Sequence, residues 1–265
     1  MADIVEHRPP AAPTMPVVRA VTFADIKAAL LAGLSDFARA PAFGLAFGGL
    51  YAAGGILILA CVFFFDLGYL AYPLFAGSVL VGPFVAAGLY DVSRELEAGR
   101  RPTWQGVLGT IFDQRKRELS WMAFVTIFAF IIWMYQVRLL LALFLGFASF
   151  ASLQDFLRVL FTTSDGLGFL AVGHVVGAAL ALGLFSITVV SFPLLMDRDL
   201  DVVTAMITSV QAVLTSPGPM LIWGVTVVGL IFIGTAPAFL GLIFVLPVLG
   251  HATWHVYRRA VAPAA

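Results

Sequence analysis

Four histidines are the side chains best suited to chemistry in this 265-residue chain, and two of them stand one turn apart. His251 and His255 have the i, i+4 spacing that puts both imidazoles on one helix face, where they could bind a metal or a haem. No glutamate accompanies them in the HExxH pattern of a metalloprotease. The competing reading is an interfacial belt, Trp254, His255, Tyr257, Arg258 and Arg259, anchoring a helix end among headgroups. His174 stands alone in a long apolar run, as does Arg138. An ionisable residue inside a membrane span is by default a functional position. For Arg138 the alternative is snorkelling to the interface, and for His174 a hydrogen bond between packed helices. Asp199 and Asp201 belong to the run DRDLD (197–201), where either can cap the following helix or dock a cation. No acidic residue lies deep in an apolar run, which speaks against proton coupling through a carboxylate. There is no P-loop, no Gly-rich dinucleotide fingerprint and no plausible Ser-His-Asp order. The single cysteine, Cys61, excludes an intramolecular disulfide and multi-cysteine metal sites. The chain is therefore expected to be no enzyme, with no catalytic, cofactor or metal site. The polar positions of interest are His174, Arg138, His251, His255, Asp199 and Asp201.

The elements that must carry these residues are helices in a bilayer. Hydrophobic residues make up 61% of the chain and charged ones 11%, against about 25% charged in an average soluble chain. Mean hydropathy is +1.01. Six spans are expected, at roughly 43–65, 70–90, 119–145, 166–196, 220–233 and 239–257. Gly44 and Gly48 have the spacing that lets another helix approach closely. Three amphipathic stretches lie between the spans. Residues 24–40 show Ile26, Leu30, Leu34 and Phe37 on one face behind a capping-box-like Thr22 to Asp25. Residues 103–116 show Trp104, Val107, Leu108, Ile111 and Phe112 at helical spacing. Residues 201–215 show a polar stripe of Asp201, Thr204, Thr208, Gln211 and Thr215, with Met206 and Val210 opposite. Each is expected to lie in the membrane surface with its apolar face inward. A short helix is expected at 153–161. Residues 1–20 are Pro-rich and read as a disordered cytoplasmic tail, followed by one membrane domain at 21–260. Of the 15 lysines and arginines, six spans place all but Arg138 and Arg158 on one side. The positive-inside rule makes that side, with both termini, cytoplasmic. Arg115-Lys116-Arg117 is the densest basic cluster. The formal net charge of zero offers no field for nucleic acid.

Shifting the chain by 176 residues pairs Asp25 with Asp201, Ala29 with Ala205 and Pro41 with Pro217. GPFVAAGLYDVSR (82–94) and LPVLGHATWHVYR (246–258) pair Pro83 with Pro247, Tyr90 with Trp254 and Arg94 with Arg258. Pro193 recurs in VVSFPLLMDR. The fold expected is thus all-α: three parallel units (21–98, 99–198, 199–260), each a surface helix followed by a hairpin of two spans.

The strings LVGPFVAAGLYDVSRELEAG, FSITVVSFPLLMDRDLDVVTAM and LPVLGHATWHVYRRAV resemble a bacterial integral membrane family, the domain-of-unknown-function family 2189. The resemblance covers roughly residues 20–260. It implies a six-span inner-membrane protein and supplies neither an activity nor catalytic residues. Some members carry the label of a cytochrome c oxidase subunit. A catalytic oxidase subunit needs several intramembrane histidines, and few are present here. The function expected is a non-enzymatic accessory or scaffold component of a membrane complex, with a small-solute transporter or permease as the rival. Its expected partners are the lipid bilayer and another membrane protein, respiratory if that label holds.

Overall fold

The computed structural model describes residues 15–65, 67, 70–114, 118–146 and 152–263. His7, the Arg115-Lys116-Arg117 cluster, and Asp66 and Gly68 of the first expected turn lie outside them. Eleven helices are described: α1 Phe23–Arg39, α2 Pro41–Phe63, α3 Ala71–Glu97, α4 Trp104–Gln114, α5 Leu119–Leu145, α6 Leu153–Thr162, α7 Ser164–Thr188, α8 Ser191–Asp197, α9 Val202–Thr215, α10 Pro217–Thr235 and α11 Leu242–Ala260. Among the described residues, four segments are long and apolar enough to cross a membrane: Pro41–Phe63, Ser120–Leu145, Ser164–Asp197 and Pro217–Thr235. The other two expected spans, α3 and α11, are long helices outside that set. Each carries an interior proline and ends in charged residues.

Local chemistry explains the breaks. Thr22 and Asp25 form the reciprocal capping box that starts α1, with Asp25 N–H donating to Thr22 Oγ1 at 3.2 Å and Thr22 N–H donating to Asp25 Oδ2 at 2.9 Å. α1 and α9 both stop one residue before a proline, and the linking residues have nearly the same backbone: Ala40 at φ −135°, ψ 54° and Ser216 at φ −136°, ψ 60°. Each proline then opens the next helix at its first turn, where a missing N–H costs nothing. The long fourth segment breaks at Val189–Val190, four and three residues before Pro193, because the proline ring excludes the carbonyl four residues back. The Val190 amide is satisfied by Ser209 Oγ of α9 at 3.1 Å.

The helices pair as antiparallel hairpins. Tyr51 of α2 donates to the Ser78 carbonyl of α3 at 3.0 Å. Along α2 and α11, a Cβ on Gly44, Gly48 or Gly55 would collide with Pro247, Ile243 or Phe239. The Gly48 contact has a specific cause. Pro247 cannot donate to the carbonyl of Ile243, and that oxygen would stand 2.4 Å from a Cβ at Gly48. The close approach expected of Gly44 and Gly48 is thus realised, with α11 as the partner. The tight α10–α11 turn holds Ala238 and Phe239 at positive φ.

The buried core gathers at one end of the molecule. It is built by α1, the second halves of α3 and α11, α8 and α9. A second cluster joins α2, α3 and α4, where Trp104 packs on Phe43 with ring centroids 4.2 Å apart. Away from this end the large apolar side chains of the helices, such as Phe63, Tyr135, Val175 and Phe232, point outward. That is the inverse of a soluble surface and the expected face toward lipid.

Several expectations need correction. On α1 the face against the protein is Ile26, Ala29, Gly33 and Asp36, while Leu34 is exposed. On α9 the inward face is Ala205, Thr208, Ser209, Ala212 and Val213, and Val203, Ile207 and Leu214 face outward. The physical reason is the solvent. Lipid rewards no burial of leucine, so helices meet through small and hydroxyl side chains and leave bulky aliphatics outside. On α4, Val107 is buried, whereas Leu108 and Phe112 are exposed. The tail expected at 1–20 ends earlier, since Val18 bridges Val261 and Arg19 N–H donates to the Ala260 carbonyl at 2.8 Å. That pairing sets the two ends of the described chain side by side.

Candidate functional site

The polar groups of α11 face the core at the end where α1, α3 and α8 converge. α1 delivers Asp36 because its small stripe, Ala29 and Gly33, lets it lie directly on α11. A Cβ on Gly33 would stand 2.5 Å from the Ala252 nitrogen. Asp36 is 4% exposed. His255 Nε2–H donates to Asp36 Oδ2 at 2.7 Å. His251, fully buried, meets Ser93 Oγ of α3 through Nδ1 at 2.8 Å. Its buried Nε2 has no hydrogen-bond partner among the described residues. Burial alone would raise the Asp36 carboxyl, but the hydrogen bond and charge of His255, with Ser93 and His251 behind, hold it below its ordinary value.

A second set of pairs closes the site. Trp254 Nε1–H donates to Glu97 Oε2 at 2.9 Å, and Arg258 reaches Glu97 at 3.1 Å and Asp197 at 3.3 Å. Tyr257 donates its hydroxyl proton to Asp197. Arg94 pairs with Asp91 and donates to the Met196 carbonyl at 3.1 Å. Burial raises the Asp91 carboxyl and the Arg94 charge opposes it. Asp91 and Arg94 line a small polar pocket of about 190 Å³ between α3 and α4, with Thr110 at its side.

His251 and His255 therefore meet partners that sequence reasoning missed, Ser93 and Asp36, while Glu97 and Asp197 pair with Trp254, Tyr257 and Arg258 of the same helix. The belt expected around Trp254 is corrected, because Trp254 and Tyr257 are 1% exposed and their polar atoms are spent on carboxylates inside the protein. Asp36 had a usable signal, since Ile26, Ala29, Gly33 and Asp36 repeat at steps of three and four with small residues central. Asp201 caps α9, accepting from Thr204 N–H at 2.9 Å and from the Thr204 hydroxyl at 2.6 Å. The Thr204 hydroxyl first, then backbone amides, hold the Asp201 carboxyl below its ordinary value. Asp199 is exposed in the link before α9. Arg138 points outward from α5. His174 stands apart from His251 and His255 and lines an apolar groove between α5, α7 and α10. Among the described residues no group of three His, Cys, Asp or Glu side chains is placed to hold a metal. Chemically, the arrangement binds helices to one another through paired charges and charge-assisted hydrogen bonds.

Residues 71–197 match a family model described as a predicted integral membrane protein (DUF2189). The match spans α3 to α8, including Ser93, Arg94, Pro193 and Asp197. No curated protein and no solved structure matches the chain.

Proposed function

We propose that this integral membrane protein is a non-enzymatic accessory or scaffold component of a bacterial inner-membrane complex. In this reading α3 and α11 are spans as well, giving six crossings with both termini cytoplasmic and a polar collar on that side. The observation that carries it is a ring of helix packings. α1 packs on α11, α4 on α3, and α9 on α7 and α8. Each unit's surface helix thus lies on the returning helix of the unit before it, and the ring closes between the first and third. The matched backbone at Ala40 and Ser216 and the interior prolines Pro83 and Pro247 support a common unit. The pairing of Val18 with Val261 supports an even number of crossings. α3 and α11 fall short of the apolar spans because their last turns carry the collar's charges.

Inside the collar, carboxylates are matched to Arg, His, Trp or Tyr, which gives rigidity and leaves little free to act on a substrate. A transporter needs a polar space at mid-membrane, whereas the groove between α5, α7 and α10 is walled almost entirely by apolar side chains.

The test is site-specific photocrosslinking in cells from the exposed collar positions Lys27, Leu31 and Arg101. A discrete adduct of one mass from all three positions is the expected result. Absence of any adduct, with solute flux through the purified protein in liposomes, would replace the scaffold with the transporter.

A further inference from the structure

Three surface helices meet one face of the membrane. α1 runs into the span α2 through Ala40 alone, and α9 into the span α10 through Ser216 alone. Val21 N–H, at the approach to α1, donates to Ser216 Oγ at 2.7 Å, which ties α1 to the α9–α10 junction. α4 joins them there, because Trp104 packs on Phe43 in the first turn of α2. This placement holds whether the chain crosses four times or six. Each helix turns large apolar side chains away from the protein: Phe23 and Leu31 on α1, Trp104 and Leu108 on α4, Ile207 and Leu214 on α9.

The charge on this face is sorted. Its carboxylates are turned to partners inside the protein, Asp36 to His255, Glu97 to Trp254 and Arg258, and Asp197 to Tyr257. Asp25 and Asp201 are spent on helix caps. Asp113, exposed at the far end of α4, is the one carboxylate of this face with no such partner among the described residues. Lys27 and Arg101 are not matched in this way. Both are exposed, and neither has a carboxylate partner among the described residues. Lys27 stands between Phe23 and Leu31 on the outer stripe of α1, one turn from each. Arg101 precedes the first turn of α4 and Trp104. It borders the pocket of Asp91 and Glu95, but Arg94 and Arg100 already match those two charges. α9 has the same apolar outer face and no lysine or arginine in it.

A single cation set among bulky apolar side chains at a membrane surface suits a phosphate headgroup, with the neighbouring side chains against the acyl region. An acidic peptide would be held by a cluster of cations clear of lipid, and these two stand on different helices. We propose that the outer faces of α1 and α4 bind anionic phospholipid headgroups through Lys27 and Arg101, and that α9 is indifferent to headgroup charge. Such headgroups exchange, so the same positions stay open to a neighbouring protein.

Tryptophan quenching reads this helix by helix. Trp121→Phe with Trp133→Phe leaves Trp104 as the exposed indole, since Trp223 and Trp254 are buried. Adding Trp104→Phe with Leu31→Trp or Leu214→Trp moves the reporter to α1 or α9. The full chain is reconstituted in equimolar phosphatidylcholine and phosphatidylglycerol, with one lipid or the other brominated. At low salt, brominated phosphatidylglycerol should quench the α1 and α4 reporters as though enriched up to about fivefold over brominated phosphatidylcholine, the scale of one basic side chain at an anionic surface. The α9 reporter should show no preference. Lys27→Gln should remove the preference at α1 and keep it at α4, and Arg101→Gln the reverse, so each variant carries its own control for folding. Salt at about 1 M should erase both preferences. Equal quenching by the two lipids at α1 and α4, a preference untouched by the glutamine variants, or the same preference at α9 would overturn the proposal. Equal quenching with an emission shift on adding polyglutamate would assign the cations to an acidic polypeptide instead.

Discussion

Single residues decide how the helices are locked. Asp36 is a carboxylate buried between α1 and α11, and His255 is the donor that compensates its lost water. Replacing His255 with alanine leaves that carboxylate short of a partner and should cost about 1–3 kcal/mol. Thermal unfolding in detergent should show the loss, and His255→Gln should recover part of it. The pH dependence has a definite sign. A carboxyl held below its ordinary value contributes stability that is complete above the unfolded pKa of about 3.9 and is lost as pH falls through the lower folded value. The wild type should therefore weaken below about pH 4, and Asp36→Asn should lack that component. A flat acid profile in the wild type would remove Asp36 from the lock. Ser209 is a second such residue, because it satisfies the Val190 amide freed at the break before Pro193. Ser209→Ala should destabilise the protein by about 1–2 kcal/mol, whereas Ser35→Ala, exposed on α1, should not. Part of this was legible from sequence. The i, i+4 histidines and the prolines stood out. The spacing of Asp36 with Ala29 and Gly33 marks its inward face, but its partner is not legible, because nothing on α1 signals the imidazole brought to it from the far end of the chain.

At the scale of elements, helix identity was readable and helix orientation was not. The sequence pattern predicts α5, α6 and α10 to within a few residues, since apolar run length, caps and Pro–Gly breaks are local. The sequence pattern places the apolar faces of α1 and α9 inward at the membrane surface, with the polar stripe of α9 outward. Their packing follows the membrane rule instead, with Gly33, Ala205 and Thr208 inward and Leu34, Ile207 and Leu214 outward. Tryptophan scanning separates the two. Val203→Trp, Ile207→Trp and Leu214→Trp should fold and be quenched by brominated phospholipid, while Thr208→Trp and Ala212→Trp should fail to accumulate. The opposite pattern would restore the polar-outward orientation. The α1–α11 contact is equally specific. Gly33→Val puts a side chain into the Ala252 backbone and should cost about 1–3 kcal/mol or more, whereas Gly49→Ala, with nothing within 4 Å, should be neutral.

The whole molecule depends on how often the chain crosses the bilayer. Four segments qualify on apolar length alone. The six proposed crossings include α3 and α11, which pack along α2 and carry their charged turns into the collar. Charge asymmetry and the repeat of Pro41 with Pro217 are the sequence features from which six crossings are proposed. The cyclic order of the packing is not legible there, since which surface helix lies on which returning helix is a long-range choice that no local pattern encodes. Reporter fusions at Arg100 and Ser164 decide between the counts directly. Six crossings place Arg100 on the cytoplasmic side and Ser164 on the periplasmic side. Four crossings, without α3 and α11, reverse both while leaving the C-terminus cytoplasmic. Arg100 cytoplasmic with Ser164 periplasmic is the result this account predicts, and the reversed pair would contradict it.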